Sequence, residues 1–248
     1  MNLWPFFKDK DPTCKDLVGL ESMFKKKENN KYALAANSQK FNKLVLSSSY
    51  DVVYKQSENY SVEIKSSMRQ LGEITIDIKH NVLTLGQREI SYPPNFFKGV
   101  VVYVNAPEII SFELYGSGYI EIHQNENKTN HDLMLILSGS GSIKFSTSYV
   151  CSKCFIKLTG SGIIECGKSF VAIDFIKTQV TGSGACSISN LDCPSISNIV
   201  MGSGTIVLKK AKTQMVRNVL NGSGSIRVSG DIGRWFNTKN GSGSININ

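Results

Sequence analysis

The tripeptide Gly-Ser-Gly recurs seven times in this chain, beginning at Gly116, Gly139, Gly160, Gly182, Gly202, Gly222 and Gly241. Successive copies are 23, 21, 22, 20, 20 and 19 residues apart. A flexible linker would cluster its glycines, whereas these punctuate the chain at a nearly fixed interval, which is the mark of a stacked repeat. Two residues before a triplet stand Leu114, Leu137, Leu158, Val180, Val200 and Leu220. Four residues after its first glycine stand Ile120, Ile143, Ile164, Cys186, Ile206, Ile226 and Ile245, and two further on Ile122, Phe145, Cys166, Ile188, Leu208, Val228 and Ile247. Residues two apart point to the same side of a strand, so each unit reads as strand, tight corner, strand.

One such unit cannot bury its apolar face alone, and stacking equivalent units solves this. The expected fold is therefore all-β: a single-stranded right-handed parallel β-helix with roughly 20-residue coils. Both glycines of each corner, the second being Gly118, Gly141, Gly162, Gly184, Gly204, Gly224 and Gly243, suit a turn whose backbone angles side chains forbid and a close approach of coils that leaves no room for a Cβ. The intervening serines, Ser117, Ser140, Ser161, Ser183, Ser203, Ser223 and Ser242, read as a structural column whose hydroxyls bond locally, with a binding stripe as the alternative. Asn198, Asn218 and Asn237 each precede a triplet by four residues, and their parity puts them inside the coil, where stacked amides can bond along the axis. Phe112, Leu135, Ile156 and Thr178 hold that position in earlier coils.

Between residues 41 and 115 the triplet is absent but strand character persists, so this stretch reads as irregular first coils ahead of the regular repeats of 116–248. The order Phe41-Asn-Lys-Leu-Val-Leu46, Tyr50-Asp-Val-Val-Tyr54, Tyr60-Ser-Val-Glu-Ile64, Val82-Leu-Thr-Leu85 and Val102-Tyr-Val-Asn-Ala-Pro107, followed by repeated Leu-x-Gly-Ser-Gly-x-Ile, resembles the head GIN domain family, known as putative auto-transporter adhesins. The resemblance spans about residues 40–248. It implies a right-handed β-helix, export from a bacterial cell and an adhesive role.

Residues 1–40 form an extension of different character. Asp11-Pro12 can start a short helix with Leu17, Leu20 and Phe24 on one face and Lys25, Lys26 and Lys27 at its end. A cap on the open end of the solenoid is expected, with a membrane-surface or partner-docking helix as the alternative, given Trp4, Phe6 and Phe7. Met1 to Lys8 turns charged too early for the roughly 7–15-residue apolar core of a secretory signal. No run of about 18 apolar residues is present, so no membrane-spanning segment is expected. With six cysteines in no dense framework, these features point to a reducing compartment, against the exported setting that the resemblance implies.

The chemistry-bearing motifs dissolve on inspection. Gly162-Ile-Ile-Glu-Cys-Gly-Lys-Ser169 matches a phosphate-binding loop letter for letter, but its middle is the strand after a corner, so its N–H groups belong to a ladder. Cys151-Ser-Lys-Cys154 is a lone C-x-x-C without a second close pair, and Cys154, Cys166 and Cys186 fall on inward positions as small hydrophobes. His80, His123 and His131 stand in no nucleophile arrangement. The outward position after each corner reads Glu121, Lys144, Glu165, Ser187, Val207, Arg227 and Asn246, which is no acidic column. No catalytic residue, metal site or cofactor is expected.

Charge is uneven along the chain. Residues 201–248 carry Lys209, Lys210, Lys212, Arg217, Arg227, Arg234 and Lys239 against Asp231 alone, a local net of +6 within a total of +8. Lys209, Lys210, Lys212, Arg217, Arg227 and Arg234 are the candidate surface for an anionic glycan, a lipid surface or a protein partner. Nucleic acid is not expected, since only Trp235 and Phe236 interleave with these charges. The expected function is non-catalytic, adhesin-like binding along an elongated surface. An intracellular scaffold stacking end to end as a homo-oligomer through its last coil, and a polysaccharide-acting enzyme, are the alternatives.

Overall fold

Ile120, Ile143, Ile164, Cys186, Ile206, Ile226 and Ile245 stand in one continuous parallel register. That ladder is the axis of the fold in this computed structural model, which describes residues 24–27, 31–34, 39–88, 91–124 and 131–248. The chain is a parallel β-solenoid, as the repeat predicts.

Three faces surround the core. The sheet preceding the corners stacks β3 (Lys43–Leu46), β9 (Ser111–Gly116), β11 (Leu133–Gly139), the ends of β13 (Tyr149–Gly160) and β15 (Phe170–Gly182), β18 (Ser195–Gly202), and the ends of β19 (Thr205–Gly222) and β20 (Ser225–Asn240). The sheet following the corners stacks β4 (Asp51–Gln56), β10 (Tyr119–His123), β12 (Ser142–Phe145), β14 (Ile163–Cys166), β16 (Ala185–Ser189), the starts of β19 and β20, and β21 (Ser244–Ile247). A short third face joins the starts of β13 and β15 to β17 (Leu191–Asp192) and the middles of β19 and β20.

The corners explain their composition. The first glycine of every triplet has φ between +105° and +137°, where a side chain is strained. The carbonyls of Gly116, Gly139, Gly160 and Gly202 each accept both the serine and the second-glycine N–H of the next coil, as Gly139 O does from Ser161 N and Gly162 N at 3.0 Å each. A Cβ on Gly204 would lie 2.5 Å from Val180 Cγ1 and 2.8 Å from the carbonyl oxygen of Gly184.

The asparagine positions form one buried column. Leu44, Phe112, Leu135, Ile156, Thr178, Asn198 and Asn218 follow one another in register and are all buried, with Asn237 next in the outermost coil. The interior therefore turns polar towards the C-terminal end, as expected from the sequence.

The N-terminal region departs from a simple succession of coils. β3 is flanked by β7 (Val82–Gln87) and β9, and β4 by β8 (Val101–Ala106) and β10. The coil made by β7 and β8 thus lies beneath the coil that precedes it in sequence. Antiparallel strands then close this end: β6 (Ile74–Lys79) hairpins onto β7, while β5 (Ser61–Lys65), β2 (Lys31–Leu34) and β1 (Phe24–Lys27) build outward from β8. The β6–β7 turn uses His80 and Asn81 at φ 50° and 63°, the paired left-handed conformation of a tight hairpin. Among the described residues a single short helix, α1 (Met68–Leu71), is held by a Ser67–Gln70 capping box.

One expectation is corrected here. Phe24 to Lys27, expected as the end of a capping helix, is strand β1, paired antiparallel with β2. Ladder hydrogen bonds to a partner outweigh the weak helical preference of so short a segment. The rest of the expected helix, with Trp4, Phe6, Phe7 and Cys14, lies outside the described residues.

Candidate functional site

The corner column is the first place to look for chemistry. All seven corner serines are exposed, and Ser242 Oγ lies 3.2 Å from Ser223 Oγ. The backbone around them is committed: Gly162 N donates to Gly139 O and Ile163 N to Gly141 O, both at 3.0 Å. With Ile163–Cys166 paired on both sides by β12 and β16, the middle of the phosphate-loop lookalike is a ladder strand and not a cradle for a phosphate.

The cysteines turn inward. Cys151, Cys154, Cys166, Cys186 and Cys193 are all buried and unbridged. Burial pushes the Cys186 thiol up to about 12 and Cys193 to about 11, and holds Cys154 and Cys166 well above the usual thiol range. Such thiols are poor nucleophiles and poor metal ligands. Among the described residues no group of three or more His, Cys, Asp or Glu side chains is placed to hold a metal ion. His131 Nδ1 pairs with Glu108 Oε1 at 2.9 Å and His123 Nε2 with Glu121 Oε1 at 3.1 Å, each outside any nucleophile constellation.

The basic residues do not share a surface. Arg217 and Arg234 stand on the pre-corner sheet, and Lys209 and Arg227 on the post-corner sheet. Lys210 occupies a bend at φ 49°, and Lys212 is on the third face, in register between Asp192 and Asp231. The cluster read from sequence is thus divided three ways by the coil geometry.

What the coil brings together instead is a face. The outward positions of the pre-corner sheet from β11 to β20 carry Lys153, Lys157, Lys177, Arg217 and Arg234, and the exposed carboxylates Asp132 and Asp174 border this face where its β11 and β15 segments begin. Between these cations stand Met134, Phe155, Phe175, Met215 and Phe236, with Phe155 and Phe175 in edge contact at 5.1 Å. Met215 is 42% and Phe236 59% exposed, so the apolar groups are available at the surface. The coils' other carboxylates are elsewhere: Glu165 on the post-corner sheet, and Asp192 and Asp231 on the third face. Sequence reasoning found two of the five cations and missed the face, because a residue's face depends on where each coil bends.

Solved structures share this architecture. A protein described as a putative adhesin from Bacteroides fragilis aligns with a TM-score of 0.68 and 19% identity, covering 88% of this chain and 95% of its own. A putative lipid binding protein from Parabacteroides distasonis aligns at 0.64 and 19%, covering 89% and 97%. A putative adhesin from Parabacteroides merdae aligns at 0.64 and 19%, covering 88% and 95%. Among curated proteins none matches. A family model described as "Putative auto-transporter adhesin, head GIN domain" matches residues 40–199. With that match over more than half its length, on a solenoid whose corners and ladders carry the motifs, this chain belongs to the head GIN domain family.

Proposed function

We propose that this chain is a non-catalytic surface-binding solenoid that lays its pre-corner sheet on an anionic lipid surface. The observation that carries the reading is the cation-rich outer face, on which five Lys and Arg side chains are interleaved with Met and Phe, Met134, Met215 and Phe236 among them exposed. A lipid interface rewards both features. Each Lys or Arg near anionic headgroups contributes about 1 kcal/mol. Aromatic and thioether side chains gain by entering the boundary between headgroups and acyl chains. A soluble anionic glycan would engage the cations but would leave Phe236 and Met215 in water. A role in contacting surfaces also accords with the adhesin description of the family.

The test is sedimentation of the full chain with vesicles of phosphatidylcholine alone and of phosphatidylcholine mixed with phosphatidylglycerol. Binding is expected only to the anionic vesicles. It should be lost in Lys177→Glu/Arg217→Glu and retained in Lys144→Glu/Arg227→Glu, whose sites are on the neighbouring sheet. Failure to sediment with anionic vesicles at low salt, or equal loss in both variants, would overturn the reading.

A further inference from the structure

Where β7 passes to β8 the tight corner is replaced by a loop, and a cleft of about 750 Å³ opens between that loop and the first corners above it. The loop spans Ser91 to Gly99 and lies beneath Ser47-Ser48-Ser49, the corner of the next coil, and Gly116-Ser117 beyond. A volume in this range suits a small-molecule site.

The loop is held firmly. Phe97 is buried, with its ring edge-on to Tyr50 at 5.6 Å, Tyr92 at 5.1 Å and Phe96 at 4.9 Å. Tyr92 stacks on Phe96 at 4.6 Å and donates its hydroxyl to Glu73 Oε2 at 2.7 Å. Gln70 Nε2, from α1, donates to the Phe96 carbonyl at 2.7 Å, and the Arg69 guanidinium lies 5.4 Å from the Phe96 ring centroid. A wall fixed this way needs little ordering when a ligand arrives, so little affinity is lost to it.

The lining has two parts. Tyr92, Phe96 and the exposed ring of Tyr115 supply apolar planes. Ser47, Ser49 and Ser117 hydroxyls, the Asn95 amide and the Asp51 carboxylate supply hydrogen-bonding groups at the same opening. Lys98 stands at the cleft with Asp51, so the site carries no net charge to attract an ion of either sign. Burial raises the Asp51 carboxyl above its usual range, which marks it as a partly dehydrated acceptor.

We infer that this cleft binds a neutral sugar residue, the C–H face of its ring against Tyr115 and its hydroxyls on Asp51 and the corner serines. A pyranose presents an apolar face and a rim of paired hydroxyls, the pattern the cleft mirrors. A charge-assisted bond from sugar hydroxyls to a carboxylate is stronger than a neutral one. The site shares Tyr115 of β9 with the pre-corner sheet but lies outside the cationic stretch from β11 to β20, and its assignment does not depend on the lipid reading.

Saturation-transfer NMR on the full chain tests it, with methyl β-galactoside, methyl α-mannoside and methyl N-acetyl-β-glucosaminide as probes. Transfer is expected to at least one of them, strongest on the protons of one ring face. Asp51→Asn and Tyr115→Ala, both at exposed positions, should each weaken it by about tenfold, the effect of losing one good contact. Arg217→Glu/Arg234→Glu should leave it unchanged, so failure of the lipid reading does not touch this result. No transfer from any of the three sugars, transfer that survives either cleft substitution, or inorganic phosphate competing for the site would overturn the assignment.

Discussion

Asn198 Nδ2 donates to Asn218 Oδ1 at 2.9 Å, and both side chains are fully buried. Asn218 Nδ2 in turn donates to Asn237 Oδ1 at 2.9 Å, so three coils share one amide ladder along the axis. The ladder satisfies groups that would otherwise be costly inside an apolar core. Asn218→Ala should therefore destabilise the chain by about 2–3 kcal/mol, since it strands partners on both sides and leaves a cavity. Replacing all three asparagines by leucine removes donors and acceptors together and should cost far less. Urea unfolding compares the two, and equal losses would show that packing and not hydrogen bonding sets the cost.

At the start of the ladder, Thr178 is in register with Asn198, and both Thr178 Oγ1 and Asn198 Oδ1 are buried without a hydrogen-bond partner among the described residues. Thr178→Val keeps the shape and removes an unsatisfied hydroxyl, so it should stabilise the chain by about 1 kcal/mol. A drop in unfolding midpoint would show that this hydroxyl does bond in solution.

The corners separate backbone demand from side-chain chemistry. Gly204→Ala should cost about 3 kcal/mol, because its Cβ meets the Gly184 carbonyl oxygen at 2.8 Å and the ladder cannot shift to make room. Ser203→Ala, at the exposed position beside it, should stay within about 0.5 kcal/mol. Thermal melting of both variants tests this, and a large loss in Ser203→Ala would restore a structural task to the hydroxyl column.

The buried thiols predict alkaline weakness. The folded values of Cys154, Cys166, Cys186 and Cys193 lie above the unfolded thiol range, with Cys186 at about 12 and Cys193 at about 11. The unfolded chain therefore loses protons first. The stability these thiols contribute is fully present below the unfolded value and is lost as pH rises towards 11–12. The slope should be about 1.4 kcal/mol per thiol for each pH unit above roughly 9, and Cys186→Ala should reduce it. Native protein should also leave these thiols unreactive towards a thiol reagent until it unfolds. Unfolding free energies that stay flat from about pH 8 to pH 10.5 would refute the assignment.

On anionic vesicles, charge and insertion should be separable. Arg217→Gln/Arg234→Gln should weaken partitioning about thirtyfold, from roughly 1 kcal/mol per cation, and flatten its dependence on salt. Phe236→Ala should weaken partitioning while leaving the salt dependence intact. Binding that ignores salt altogether would rule out a charged interface.

Much of the architecture was legible because the repeat translates sequence spacing directly into register. Ile120 to Ile245, the corner glycines and Asn198, Asn218 and Asn237 all stand where the period of about 20 residues places them. Inward parity also located Cys154, Cys166 and Cys186, whose burial follows from alternation alone.

Other features required the folded chain. β7 and β8 slip beneath β3 and β4 because a strand chooses its partner by non-local pairing, which no local pattern encodes. Phe24–Lys27 became strand β1 because a partner at Lys31–Leu34 was in reach. Lys209, Lys212 and Arg217, near neighbours in sequence, point to three different faces because β19 bends twice within 18 residues. The amino-acid sequence by itself determined the coil, its corners and its inner columns, since period and side-chain parity are local properties. Which charges share a face, and where a cleft opens, was decided only by where the backbone turns in three dimensions.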